Sequence, residues 1–229
     1  MPPSKPPFSD LTVISTLALK GVLDAAAPTH LSGLRAEFHA TQALLKDIAA
    51  GKSADVVILT DEGIAELSQK RLLVPGSEMK LGKSGVGLAV RAGARKPDIH
   101  DLEALTKALL AAESVGHSRL GASGLYFAGL LERLGLADKL KKRVIVDRGP
   151  VAAGVAAGEI QIGAQLLCEL APVKGIEIVG PLPDEVQKFY SFSAAVTAKA
   201  PKLDAAMQFL QFLKSDSVRA EMRRNYLQP

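Results

Sequence analysis

The sequence predicts an α/β protein built as two similar lobes. Three observations carry that expectation. Strand-like and helix-like segments alternate three times within the first 70 residues, the order of a chain that lays parallel strands under crossover helices. Asp55 opens a continuous apolar run, Val56-Val57-Ile58-Leu59, as in a strand buried on both faces of a parallel sheet. The stretch over about 85–190 then repeats the strand–helix scheme of the first 80 residues. The expected division is 8–83 with 195–229 in one lobe and 86–190 in the other. The chain would cross between them near Lys83–Gly85 and again near Phe189–Ala194.

Leu11-Thr12-Val13-Ile14 reads as a short strand, followed by Ser15-Thr16 and a helical pattern from Leu17 to Ala27. Pro28 is expected to stop that helix, having no N–H to donate. Arg35 to His39 alternates like a half-buried strand. Thr41 is placed to cap a helix running through Ile48 and ending at Gly51. The apolar run at 55–59 leads to a helix over about 62–70. Gly85 to Val90 forms a strand, Asp98-Ile99 leads into a helix through Leu110, and Ser114 to Gly116 is a short strand. Gly121-Ala122-Ser123-Gly124 opens a helix through Leu134, closed by Gly135. Next come a strand from Arg143 to Val146, a short helix from Gly149 to Ala157 ended by Gly158, and a buried strand from Ile160 to Leu167. Ile176 to Val179 is a strand broken by Pro181 and Pro183, and Ser191 to Thr197 is strand-like. Helices over about 201–214 and 215–225 end the chain.

Composition narrows the function. At 229 residues, 48% hydrophobic and 23% charged, the chain has an ordinary globular make-up and buries roughly 70% of its unfolded surface without a staple. Trp is absent and aromatics are 4%, which argues against a stacking platform for single-stranded nucleic acid. The single cysteine, Cys168, allows no internal disulfide, and the four scattered histidines form no helical metal pair. No metal or cofactor is therefore expected. The net charge is +4, with basic residues gathered at Lys139, Lys141, Lys142 and Arg143 and at Arg219, Arg223 and Arg224. Such runs are read as solvated helix ends rather than a nucleic-acid surface. No segment reaches the ~18 apolar residues of a membrane span. The Pro-rich first seven residues contain no apolar signal core. The expected location is periplasmic if a leader was removed and cytoplasmic if this is the full chain.

Three motifs are near misses. Gly76 to Ser84 resembles a phosphate-binding loop, but five residues separate its glycines where four are needed. Gly85 and Gly87 suggest a dinucleotide fingerprint, but Val90 stands at the third glycine position. Gly121 to Leu125 misses a nucleophile elbow because Leu125 replaces the last glycine. What survives is a set of hydroxyl-bearing turns: Ser15-Thr16, Thr41-Gln42, and Ser123 with Gly121 and Gly124 beside it. Each is expected just past a strand's carboxyl end, where open α/β sheets bind ligands. There a helix N-terminus suits an anion, although each hydroxyl could equally serve as a plain helix cap.

Thr41 through Thr60, T-Q-A-L-L-K-D-I-A-A-G-K-S-A-D-V-V-I-L-T, resembles a segment of molybdate-type ABC-transporter substrate-binding proteins. In these, a small-residue turn opens a helix that is followed by Q-I-x-x-G-A-x-A-D-V. Tyr126 to Leu140, Gly154 to Gly163, Val179 to Pro183 and Ala206 to Ser215 resemble later segments of the same family, so the likeness spans roughly 11–225. The resemblance implies the type II periplasmic-binding-protein fold, with two α/β lobes joined by a two-strand hinge around an interlobe cleft. It implies a small anionic ligand, an ABC-transporter membrane component as partner, and a monomer. Carried over by position, the ligand contacts are Ser15, Thr16, Thr41 and Gln42 in the first lobe. In the second they are Ser123, Gly124 and the turn Gly149–Val151.

Three departures from the family shift the expected ligand from molybdate to an organic di- or tricarboxylate. Gln42 stands where molybdate binders carry Ser or Gly. The family's late tyrosine contact would fall near Leu166 to Cys168, where no tyrosine occurs. Arg148 precedes the second-lobe turn, and a guanidinium can grip a carboxylate with two hydrogen bonds. Two functions fit: a solute receptor, or an isomerase that moves a proton within a bound polycarboxylate, as aconitate-isomerase-like relatives do. The second needs a general acid/base, for which His39, His117, Glu159 and Glu169 are the candidates.

Overall fold

The computed structural model describes residues 8–147 and 149–229. Its contacts divide the chain into two compact units. The first holds the described residues up to Lys83 together with Tyr190–Pro229, and the second holds Ser84–Phe189.

In chain order the first unit begins with β1 (Thr12–Ser15), a 3-10 turn (Leu17–Leu19), α1 (Lys20–His30), β2 (Arg35–Phe38) and α2 (Thr41–Ala49). It continues with β3 (Val56–Thr60) and α3 (Asp61–Gln69). The strand β4 (Met79–Arg91) carries the chain out of this unit. The second unit contains α4 (Leu102–Ala111), β5 (Val115–Ser118), α5 (Ala122–Arg133), β6 (Arg143–Val146) and α6 (Val151–Ala157). After these come β7 (Ile162–Leu166), the single turn α7 (Leu167–Leu170) and β8 (Ile176–Pro181). The strand β9 (Phe189–Val196) brings the chain back to the first unit, where α8 (Leu203–Leu213) and α9 (Asp216–Arg224) finish it.

In the first unit, β1 pairs in parallel with β2 and β3, and β9 runs antiparallel to β3. The sheet is therefore mixed where a parallel one was expected. A parallel neighbour needs a crossover of a dozen or more residues, and β9 returns without a crossover helix of its own. Val56, Val57, Ile58 and Leu59 are all fully buried. On one face Val57 and Leu59 pack with Leu44 and Leu45 of α2 and Ile64 and Leu67 of α3. Asp55, also buried, accepts from the Thr12 N–H at 2.8 Å and hydroxyl at 2.7 Å, and its other oxygen accepts from the Lys202 N–H at 3.1 Å. One carboxylate thus fixes β1 and the approach to α8 against β3. Pro28 does not stop α1 but lies inside it. It sits in the final turn, where Leu31 still reaches the Ala27 carbonyl at 3.3 Å; only one intrahelical bond is forfeited there.

In the second unit the strand order is β8-β4-β7-β5-β6, with β4 antiparallel to both neighbours and β5 parallel to β6 and β7. Val151 and Val155 of α6 pack with Ile160 and, more loosely, with Val144, Val146 and Ile176. Gly158 takes φ +80° and ends α6, a conformation that glycine alone adopts cheaply. The segment that resembles a phosphate loop becomes the start of β4, with Met79 and Leu81 buried.

Candidate functional site

Parallel strands align their carboxyl ends. In the first unit Ser15 is level with Phe38 and Ile58. The Thr16 N–H donates to the Ile58 carbonyl at 2.8 Å, and the His39 N–H donates to the Ser15 carbonyl at 3.1 Å. Ser15 is fully buried and its hydroxyl donates to the Thr16 carbonyl at 2.9 Å, so that group is already spent on the backbone. Thr16 precedes the 3-10 turn, yet its hydroxyl caps nothing. Its Oγ1 is buried with no hydrogen-bond partner, a state that costs roughly 1–3 kcal/mol.

Thr41 is not a cap either. It is the first residue of α2, whose cap position is Ala40, with no side-chain oxygen. Thr41 Oγ1 accepts a long 3.4 Å bond from the Thr60 N–H, which leaves its own proton to give. Its methyl group lies where a Cβ on Gly63 would stand, 2.8 Å away, so α3 can approach α2 only with glycine there. Gln42 and His39 are exposed.

The second unit builds its turn more tightly. A Cβ on Gly124 would stand 2.2 Å from both the carbonyl oxygen and Oγ of Ser118, and one on Gly121 would stand 2.5 Å from that Oγ. The β5–α5 turn therefore wraps round Ser118 in a way only glycines permit. Ser123, buried, is the second residue of α5, and the cap position is Gly121. Its hydroxyl makes no hydrogen bond among the described residues. At β6–α6 the cap position is Pro150, and the Val151 side chain is committed to the core. Arg148 lies outside the described residues.

Elsewhere helices are capped in the ordinary way. Thr60 accepts from the Gly63 N–H at 3.3 Å, Asp101 from Ala104 at 2.7 Å, and Ser215 from Val218 at 3.4 Å. The helices carrying Thr41 and Ser123 lack that device. At both starts the cap residue supplies no side-chain acceptor, as at helix starts that receive an anion.

A pair not singled out together by the sequence stands at the carboxyl end of β7, which runs parallel to β5. Gln165, buried near the end of β7, accepts the Ala152 N–H at 3.1 Å and donates to Glu169 Oε2 at 2.8 Å. Burial pushes the half-buried Glu169 carboxyl up from 4.5 to about 7, and the Gln165 amide only partly offsets it. The readable signal was a glutamine inside the otherwise apolar run Ile162–Leu166. These two residues flank the 166–168 stretch where the tyrosine was missing.

His117 is a core histidine. Nδ1 pairs with the Ser118 carbonyl at 3.0 Å, and Arg143 Nε donates to Nε2 at 2.9 Å. Burial, the nearby cations adding to it, holds its pKa below the usual value. Both ring nitrogens are occupied, so as a proton carrier His117 is set aside. Arg143 also pairs with Glu132 and Lys141 with Glu113, which spends part of the basic run on intramolecular partners. Glu159 is exposed. Among the described residues no group of three His, Cys, Asp or Glu could hold a metal ion, and no helix is long and apolar enough to cross a membrane.

The profile of a family described as bacterial extracellular solute-binding protein matches residues 11–228. The chain belongs to that family. A relative named aconitate isomerase, from a Pseudomonas species, is 34% identical over 234 residues, covering 97% of this chain and 89% of its own. Among solved structures, the Azotobacter vinelandii periplasmic molybdate-binding protein superposes with a TM-score of 0.78 at 20% identity, covering 96% of this chain and all of its own. The structure of PEB3 with bound L-phospholactate superposes with a TM-score of 0.65 at 11% identity, covering 96% of this chain and 100% of its own. The fold is that of the type II periplasmic binding proteins.

Proposed function

We propose that this family member binds an organic di- or tricarboxylate through the hydroxyls and uncapped helix ends at its strand carboxyl termini. The observation that carries the reading is the buried, unpartnered Thr16 hydroxyl. A folded protein keeps such a group only where something else repays its desolvation, and the level carboxyl ends of β1, β2 and β3 put it where a ligand anion would. Thr41 with the head of α2, and Ser123 with the head of α5, supply further donors. A membrane component of an ABC transporter is the partner that a solute receptor of this family would serve.

A carboxylate ligand is favoured over molybdate by what stands near 166–168. No tyrosine stands there, and burial pushes the Glu169 carboxyl that follows it up to about 7. The name of the 34% identical relative points toward the same class of ligand.

The same carboxyl favours a second reading, an isomerase acting on the bound polycarboxylate, because a group poised near pH 7 can both take and return a proton. Thermal shift with citrate, cis- and trans-aconitate, malate, molybdate and sulfate tests the binding reading. Stabilisation by the polycarboxylates is the expected result; stabilisation by molybdate alone would overturn it. Incubation with trans-aconitate, followed by NMR, then separates receptor from isomerase.

A further inference from the structure

We propose that Glu169 is the catalytic residue of the second unit, carrying a proton between two carbons of a bound unsaturated tricarboxylate, with Gln165 as its positioning residue. The inference rests on the polycarboxylate reading above and goes beyond it by assigning the chemistry. Three observations on the structure point to it. Glu169 lies one helical turn beyond the carboxyl end of β7, beside the α6 turn to which Gln165 ties it. One oxygen, Oε2, is held by the Gln165 amide, whereas Oε1 has no hydrogen-bond partner among the described residues. That leaves a fixed carboxyl with one oxygen to offer. The remaining candidates do not compete: His117 is saturated, while His39 and Glu159 are exposed.

The step balances without any co-reactant. The Glu169 carboxylate takes a proton from the substrate methylene. The C–H pair becomes a new double bond to the central carbon, and the former double bond shifts its pair to the far carbon. That carbon takes a proton back from Glu169, whose acidic hydrogen exchanges with solvent in the meantime, so substrate and product are isomers and the carboxylate is regenerated. Charge that builds on the allylic carbons and their carboxylates would be met by the head of α5 and the Ser123 hydroxyl, whose fixed dipoles need no reorganisation. A carboxyl near pH 7 suits both halves of the transfer. The groups packed around Glu169 leave its titration its own. From α7 itself there is the buried, protonated Cys168 thiol, from β7 the neutral Gln165, and from β8 Glu177, which is engaged with the Gly93 N–H and Lys96.

Deuterium entry into trans-aconitate in D2O, followed by proton NMR, tests this, with calorimetry on the same samples to measure binding. Wild type should place deuterium at both the methylene and vinyl carbons. Glu169→Gln should bind trans-aconitate with near wild-type affinity and lose exchange by about 100-fold or more. Gln165→Leu should keep exchange but move its pH midpoint upward, because the amide that favours the carboxylate is gone; a purely structural role would leave the midpoint in place. Exchange at the wild-type rate in Glu169→Gln, or wild type that binds without exchanging, would overturn the assignment and leave the binding reading standing. Failure of wild type to bind any of the polycarboxylates would overturn both.

Discussion

The two units carry different groups at their strand ends. The first offers neutral hydroxyls, with Thr16 held unpartnered and Thr41 at an uncapped helix start. The second offers Ser123 on a turn that only glycine permits, and, after the parallel neighbour β7, the one carboxyl among the described residues that is pushed up to about 7. Both use the carboxyl ends of parallel strands, so shared architecture does not set the contrast. The contrast lies in the group placed after β7, the last parallel strand of the second unit. On the reading proposed above, the first unit holds the ligand and the second both holds it and exchanges a proton.

The largest effect should come from the glycine turn. In Gly124→Ala the new Cβ meets the Ser118 carbonyl, a backbone atom with little room to yield. A loss of roughly 3 kcal/mol of stability is expected, at the upper end for overpacking. Urea unfolding measures it. A variant as stable as wild type would mean that the turn is looser than described and that the two units are more alike.

How far the sequence reached is visible at these same positions. The α/β order, the strand ends and the hydroxyls were legible because local pattern dictates them: apolar runs, alternation and glycine stops. Two misreadings share one cause, that local chemistry was trusted where position ruled. Pro28 was expected to end α1 but lies in its last turn, and Thr41 was expected to cap α2 but starts it. The Gln165–Glu169 pair was not legible as a pair because burial created it. A glutamate four residues after a glutamine has no special meaning until a sheet end takes both from water. Arg148, prominent in the sequence reading, falls outside the described residues.

The second unit should also carry the stronger pH dependence. Glu169 has its folded pKa, about 7, above the ordinary 4.5. In that window the folded state binds more protons, so its contribution is full below about 4.5 and is lost as pH rises through about 7. His117 runs the other way: its pKa is lowered from 6.5, so its contribution is full above 6.5 and falls away in acid. Glu169→Gln should therefore gain on wild type as pH rises from about 4.5 to 7 and hold a constant difference beyond. Urea midpoints taken across that range check it, and a difference independent of pH would place the unusual carboxyl elsewhere.

In the first unit Thr16→Val should move stability and binding in opposite directions. Removing an unpartnered buried hydroxyl should raise stability by about 1 kcal/mol, while the polycarboxylate loses a donor. Loss of stability in thermal melts would mean that the hydroxyl has a structural partner and that the first unit is not built to hold a ligand there. The smallest effect is expected at His39, exposed at the end of β2. His39→Ala should leave deuterium exchange unchanged, and its loss would move the proton chemistry to the first unit.

The division of labour is tested most directly by the rate of deuterium entry into trans-aconitate at saturation in Thr16→Val. If the first unit only holds, the variant needs more substrate to saturate yet reaches the wild-type rate. A saturated rate that collapses as in Glu169→Gln would contradict the account, because a holding group would then be part of the chemistry.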